Sequence, residues 1–128
     1  MTAIVLDASA VLAVISEERG ADNVIQAPRR GAVMSAVNYA EVISKLVERG
    51  LRRELARATV LNIGIQILDF DIELADRVGE LRPQTKSYGL SLADRACLAL
   101  AERQGLPALT GDRKWSQFDL GIEVRIFR

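Results

Sequence analysis

The sequence contains no histidine. That excludes Ser-His-Asp and Cys-His catalytic sites, an imidazole acid–base nuclease, and any zinc site built on histidine. There is one cysteine, Cys97, so an internal disulfide is excluded. Its place among alanines and leucines makes it a small core residue. Neither charge is in excess: 17 basic and 17 acidic residues give a net charge of zero. The chain therefore lacks the basic surplus of a nonspecific nucleic-acid binder, although a local basic rim around an acidic site remains compatible with these totals. No apolar run reaches the ~18 residues of a membrane span. The apolar opening, Met1–Ser16, has no basic residue ahead of it and is interrupted by Asp7. It reads as a strand and a helix rather than a signal peptide, which predicts a cytoplasmic protein with no membrane partner. Internal repeats, low-complexity segments and linkers are also missing. Hydrolytic chemistry in such a chain must use carboxylates, hydroxyls or lysine, with a metal as the natural helper.

What is present is a core. The 128 residues are 49% apolar, which predicts one domain over residues 1–128. Ala3–Leu6 is a continuous apolar run, as expected of a strand buried on both faces. A helix is expected from Ala10 to about Glu18, and a short one over Ala21–Ala27 ended by Pro28. Ala32–Ser35 reads as a second strand. Helices are expected over Val37–Arg49, with Gly50 as its cap, and over Arg52–Asn62. Ile65–Phe70 reads as a third strand, and Asp71 as the N-cap of a helix stopping at Arg82-Pro83. Gln84–Gly89 reads as a polar loop. Ile122–Ile126 alternates like a half-exposed edge strand. This alternation of strands and helices predicts a three-layer α/β/α fold with a mostly parallel sheet of four or five strands.

The most informative stretch is Leu90–Trp115. Ser91-Leu92-Ala93-Asp94 has the form of a capping box. Ala93–Gln104 is rich in good helix formers, and Gly105 with Pro107 stops the helix. Ala108–Thr110 then reads as a short strand and Gly111-Asp112 as the turn at its end. Asp7 directly follows the first strand, and Glu41 lies early in the helix after the second. Ligands of parallel sheets bind beyond the carboxyl ends of the strands, so Asp7, Glu41, Asp94 and Asp112 can share one crevice. Gathered without a cation they would repel one another and their pKa values would rise. A hard divalent cation such as Mg²⁺ or Mn²⁺ prefers oxygen ligands and resolves that repulsion. It would also lower the pKa of a coordinated water, giving a nucleophile without histidine. Each acid also has a plainer use: a capping-box acid for Asp94, turn or cap residues for Asp7 and Asp112, and a favourable anion near a helix N-terminus for Glu41.

Several of these segments together resemble a family. Ile4–Ala10 (IVLDASA), Ser35–Val42 (SAVNYAEV), Leu90–Asp94 and Thr110-Gly111-Asp112 resemble the motifs of PIN-domain ribonucleases, specifically the VapC-type toxins of toxin–antitoxin systems. The resemblance spans nearly the whole chain. It implies a PIN-like fold and a Mg²⁺- or Mn²⁺-dependent endoribonuclease with Asp7, Glu41, Asp94 and Asp112 as its metal-binding and catalytic acids. Ser9 and Thr110 match supporting hydroxyl positions, with an N-cap or a strand-end hydrogen bond as their plainer use. Lys114 stands where some members carry a further acid, so the resemblance implies one metal more firmly than two. It also implies an RNA substrate, a cognate antitoxin reaching the acids with an Arg or Lys, and a homodimer or toxin–antitoxin hetero-oligomer. Ala10–Ile15 and Val42–Val47 would line the antitoxin groove. Arg82, Lys86, Arg95, Arg113 and Lys114 are candidates for phosphate contacts, each with solvated surface as the plainer use. Trp115 could stack on a base, though a core position suits a lone tryptophan better.

Competing readings are fewer. A haloacid-dehalogenase-type, metal-dependent phosphatase would place a second aspartate two residues after Asp7, where Ser9 stands. A phospho-receiver domain would need paired acids ahead of its phosphoacceptor strand. The third alternative is a PIN-like domain without activity, serving as a protein-binding module. Four intact acids argue against it.

Overall fold

The computed structural model describes residues 3–25 and 31–128. The strands are β1 (Ile4–Leu6), β2 (Ala32–Ser35), β3 (Gln66–Leu68), β4 (Ala108–Thr110) and β5 (Val124–Ile126). They form one five-stranded sheet in the order β3-β2-β1-β4-β5, and every pairing is parallel. The helices are α1 (Ala8–Ile15), α2 (Ala21–Ile25), α3 (Ala36–Glu48), α4 (Arg53–Leu61), α5 (Ile72–Glu80), α6 (Arg82–Thr85) and α7 (Leu92–Gln104). Short 3₁₀ turns follow at Lys86–Tyr88 and Arg113–Gln117. Ala27 and Pro28, the expected end of the second helix, lie outside the described residues.

The period-2 alternation of the central strands sorts side chains into two cores. Ile4, Leu6 and Met34 join α1, α3 and α4 through Val11, Val42, Leu46 and Val60 on one face. Val5 and Val33 join α5 and α7 through Leu74, Val78, Leu98 and Leu100 on the other. This is the expected α/β/α arrangement with a fully parallel sheet. Arg95 through Ala101 of α7 are buried without a break, so this helix is enclosed all round rather than laid on the surface. Ala96, Ala99 and Ala101 keep its girth small enough for that position. A truncation such as Leu46→Ala, at a site 2% exposed, costs on the order of 2–5 kcal/mol in cores of this kind.

Several boundaries differ from expectation for identifiable reasons. Helix α1 starts at Ala8, because Asp7 caps it, and stops at Ile15. Glu17 beyond it has a positive φ of 52°, a conformation that cannot continue a right-handed helix. Residues 82–88 are helical turns rather than a polar loop. Pro83 sits in the first turn of α6, where the missing N–H costs nothing, and Thr85 donates its hydroxyl back to Leu81 O at 2.8 Å. Of the two stretches expected to line a partner groove, Ala10–Ile15 and Val42–Val47, Ala10, Val11, Leu12, Ala13, Val42 and Leu46 are core, Val14, Ile15 and Ile43 are half-buried, and Val47 is exposed; Ile43 lines a groove with Tyr39, Ala40, Arg53 and Arg57. Among the described residues no helix is long and apolar enough to cross a membrane.

Because all five strands run the same way, the segments leaving β1, β2 and β4 emerge on one edge of the sheet. Those segments carry Asp7, the start of α3, and Gly111-Asp112.

Candidate active site

Asp7 leaves β1 and immediately caps α1, accepting the Ala10 amide at 2.9 Å. Its side chain is almost fully buried, at 5% exposure, so each oxygen needs a partner. The Ser9 hydroxyl donates to Oδ1 at 2.6 Å, and the Thr110 hydroxyl donates to Oδ2 at 2.5 Å. Ser9 also accepts the Gly111 amide, and Thr110 the Asp112 amide, both at 3.0 Å. The two hydroxyls predicted as supporting groups thus tie the end of β1 to the end of β4.

Asp94 occupies the third position of α7. It closes the capping box, with its Oδ2 accepting the Ser91 amide at 2.9 Å and its own amide donating to Ser91 Oγ at 3.1 Å. Asp112 caps the 3₁₀ turn after β4, its Oδ1 accepting the Lys114 amide at 3.0 Å. The capping uses foreseen for these acids are real and leave Asp94 Oδ1 and Asp112 Oδ2 without partners among the described residues. Glu41, in the second turn of α3, has no side-chain hydrogen bond or ion pair among the described residues.

The four carboxylates line a single cleft of about 470 Å³, together with Ser9, Asn38, Gly111, Arg113, Lys114 and Arg128. Asn38 is the residue that sequence reasoning missed. It is 1% exposed and donates its Nδ2 to Ala93 O at 3.0 Å, fastening α3 to the residue just before Asp94. That bond matters because α7 does not follow a strand, so the strand–helix rule alone does not bring Asp94 to this edge. Asn38 Oδ1 is buried with no partner. The signal for it was present: Asn38 stands on the same helical stripe as Val42 and Leu46, where an apolar residue is expected.

Burial and like charge act together on two acids of the cleft. Burial pushes the Asp7 carboxyl above its ordinary 3.8; the bonds from Ser9, Thr110 and Ala10 pull it down, and the charge of Asp94 adds to the rise. Glu41 is likewise raised above 4.5, first by burial and then by Asp94, with Lys45 opposing and Asp7 adding. These are the shifts expected when like charges share a partly dry site.

The donor set suits a hard cation: carboxylate oxygens, an orphaned amide oxygen and hydroxyls, with no thiol or imidazole. No three acidic side chains among the described residues stand close enough to ligate one ion directly. The cleft therefore fits a hydrated ion gripped by one or two carboxylates, the usual habit of Mg²⁺, better than an all-protein cage.

The remaining candidates separate clearly. Arg113 and Lys114 line the cleft, whereas Arg82 and Lys86 do not. Arg95 is buried and donates to Val78 O at 2.9 Å, so it serves the core rather than phosphate. Trp115 is also core, at 1% exposure. Burial pushes the Cys97 thiol well above its ordinary value, which leaves it unreactive.

A family model described as PIN domain matches residues 4–120. No curated protein matches the chain in sequence. Among solved structures, the DNA-bound VapBC complex of Salmonella typhimurium aligns over 100% of both chains with a TM-score of 0.77 and 20% identity. A toxin–antitoxin complex from Klebsiella pneumoniae aligns over 98% of both chains, with a TM-score of 0.77 and 21% identity. Mycobacterium tuberculosis VapC20, a sarcin–ricin loop cleaving toxin, aligns over 91% of this chain and 96% of its own, with a TM-score of 0.73 and 18% identity.

Proposed function

The chain belongs to the PIN domain family, and from that premise we propose that it is a Mg²⁺- or Mn²⁺-dependent endoribonuclease acting as the toxin of a toxin–antitoxin pair. The observation that carries the reading is the cleft that gathers Asp7, Glu41, Asp94 and Asp112 with the unpartnered oxygen of Asn38. The likeness in fold to two toxin–antitoxin complexes and to an RNA-cleaving toxin supports it.

In this reading Asp7 and Asp94 would be the main ligands of one cation, and Asp112 and Glu41 would hold its waters or a second, weaker ion. When bound, the cation supplies a water of lowered pKa and a positive charge opposite the phosphate oxygens. The chain's own groups do the rest. Ser9 and Thr110 hold both oxygens of Asp7, so its orientation is fixed before substrate arrives. Asn38 keeps Asp94 in reach of Asp7 through its bond to Ala93 O. Glu41 is a proton acceptor at its carboxylate oxygens, with its affinity for a proton raised by burial and by Asp94. Water attacks phosphorus, the RNA 3′ oxygen leaves with a proton, and the 2′-hydroxyl takes no part. The products are a 5′-phosphate and a 3′-hydroxyl.

An antitoxin partner follows from the same likeness, with a cationic side chain occupying the acidic cleft and taking the electrostatic place of the metal. Co-expression with the product of the adjacent reading frame tests this arm: a stable complex at micromolar concentration is expected, and two separate species would contradict it. The enzymatic arm is tested on purified protein with single-stranded RNA. Cleavage in Mg²⁺ or Mn²⁺, and none in EDTA or in Asp94→Asn, is expected. Cleavage that survives both would place the chemistry elsewhere.

A further inference from the structure

A second groove adjoins the acidic cleft, and it has the opposite sign. Arg19, Gly111, Arg113 and Arg128 line it, and Gly111, Arg113 and Arg128 also line the acidic cleft. The two are therefore continuous, acid on one side and guanidinium on the other.

The arrangement is built rather than incidental. Phe127 and Arg128 follow β5 and are held by several independent contacts. Phe127 donates its amide to Thr110 O at 3.1 Å and accepts from Asn23 Nδ2 at 2.7 Å. Arg113 Nε donates to Arg128 O at 3.1 Å. Gly111 is what allows the approach: a Cβ there would stand 2.6 Å from Arg128 Nε and 2.9 Å from its Cζ. The Arg128 guanidinium thus lies against bare backbone beside Asp112. A Cβ on Gly20, next to Arg19, would meet the Phe127 carbonyl at 2.8 Å, so the loop carrying Arg19 is pressed against the same segment.

Three arginines that line one groove repel one another. Among the described residues, the acidic side chain paired with one of them is Glu18, at 3.8 Å from Arg128, with both side chains more than a third exposed. Arg19 has no ion pair among the described residues. No acidic side chain among the described residues lines this groove.

We propose that Arg19, Arg113 and Arg128 form a phosphate subsite for the RNA strand, holding a phosphodiester adjacent to the one that enters the acidic cleft. This rests on the ribonuclease reading above. Guanidinium forks match phosphate oxygens in pairs. A polyanion with regularly spaced phosphates is the ligand that fills both halves of a continuous groove, one phosphate against a cation held by acids and the next against arginines. The subsite positions the strand without reading its sequence, because backbone phosphates carry no base identity.

The test is RNA binding in EDTA, where neither metal nor cleavage intervenes. A labelled single-stranded RNA oligonucleotide is titrated with the wild-type chain, with Arg19→Ala, Arg113→Ala and Arg128→Ala, and with Arg57→Ala on α4, in a different groove, as control. Thermal unfolding of each variant confirms that it folds. Each subsite variant is expected to weaken binding about three- to tenfold and to lower the slope of log affinity against log salt by about one. The control is expected to leave both unchanged. In a cleavage assay the same variants raise KM more than they lower kcat. Folded subsite variants that bind RNA as the wild type does, with the same salt slope, would overturn the proposal whether or not the protein cleaves RNA. So would an arginine-dependent affinity for an acidic peptide with none for RNA, which would assign the groove to a protein partner. If RNA binding depends on the arginines but no cleavage occurs with any metal, the subsite stands and the enzymatic reading fails.

Discussion

The Thr110 hydroxyl donates to Asp7 Oδ2 at 2.5 Å across 103 positions of sequence. This bond joins the ends of neighbouring strands β1 and β4 and uses the second oxygen of a buried carboxylate whose first oxygen is already held by Ser9 and Ala10. Asp7 is thereby fixed in position while it remains short of a counter-charge. Thr110 also accepts the Asp112 amide, so one hydroxyl orients two of the acids.

Thr110→Val keeps the shape of the side chain and removes both bonds. An acceptor oxygen of Asp7 and the Asp112 amide lose their partners, which costs about 1–3 kcal/mol. Urea unfolding is expected to show that loss with an unchanged m-value, and the RNA cleavage rate is expected to fall. A variant as stable and as active as the wild type would mean that Asp7 does not depend on this bond.

The raised Asp7 carboxyl predicts a pH dependence of definite sign. Between the ordinary 3.8 and its higher folded value, the folded chain holds a proton that the unfolded chain has released. Stability contributed by this group is therefore present at low pH and lost as pH rises through the folded value. Asp71 and Glu102 are lowered, by hydrogen bonds from Leu74 and Arg77 respectively, and work in the opposite direction. The comparison that isolates Asp7 is between wild type and Asp7→Asn. In EDTA the stability of the variant relative to wild type should grow as pH rises from 4 toward neutral, and added Mn²⁺ should reverse the difference. A pH-independent difference would contradict the strained carboxylate.

Asp94→Asn separates capping from charge. An asparagine oxygen still accepts the Ser91 amide, so α7 keeps its start. One negative charge near Asp7 and Glu41 disappears, and metal-free stability should stay level or rise by up to ~1 kcal/mol. Mn²⁺ binding, followed by calorimetry, should weaken sharply. A variant that loses stability in EDTA would show that the carboxylate serves the helix more than the site.

Asn38→Leu removes the bond to Ala93 and the orphaned acceptor together. A purely structural asparagine would lower stability and leave metal affinity alone. The position predicted here also lowers Mn²⁺ affinity, by about 10–100-fold as for groups that orient ligands. Unchanged Mn²⁺ affinity in a folded variant would confine Asn38 to packing.

Much of this was legible in the sequence, and the reasons for the rest are physical. Asp7, Asp94 and Asp112 stand out because strand ends and helix starts are marked locally, by an apolar run before Asp7, a capping box around Asp94 and a short buried strand before Asp112. Edge position was legible for β5 from its alternation. Asn38 was passed over because one polar residue on an apolar stripe reads as noise until its partner, 55 positions away, is known. Arg95 reads in sequence as a phosphate contact or as solvated surface and is neither, because adjacency to Asp94 says nothing of direction: one residue along a helix is roughly 100° around its axis. Arg19 and Arg128 stand at opposite ends of the described chain and meet because the segment after β5 is pinned beside β4 and the loop after α1. Arg82-Pro83 reads as a stop in sequence, yet proline opens a short helix as readily as it ends one.

The central claim is that carboxylates and a divalent cation deliver water to an RNA phosphate without help from the ribose 2′-hydroxyl. The most direct measurement is the chemistry of the cut ends, read by mass spectrometry of a defined oligonucleotide after incubation in Mg²⁺ or Mn²⁺ and in EDTA. The account predicts 5′-phosphate and 3′-hydroxyl ends with metal and intact RNA in EDTA. Products ending in 2′,3′-cyclic phosphate, or cleavage that persists in EDTA, would contradict it.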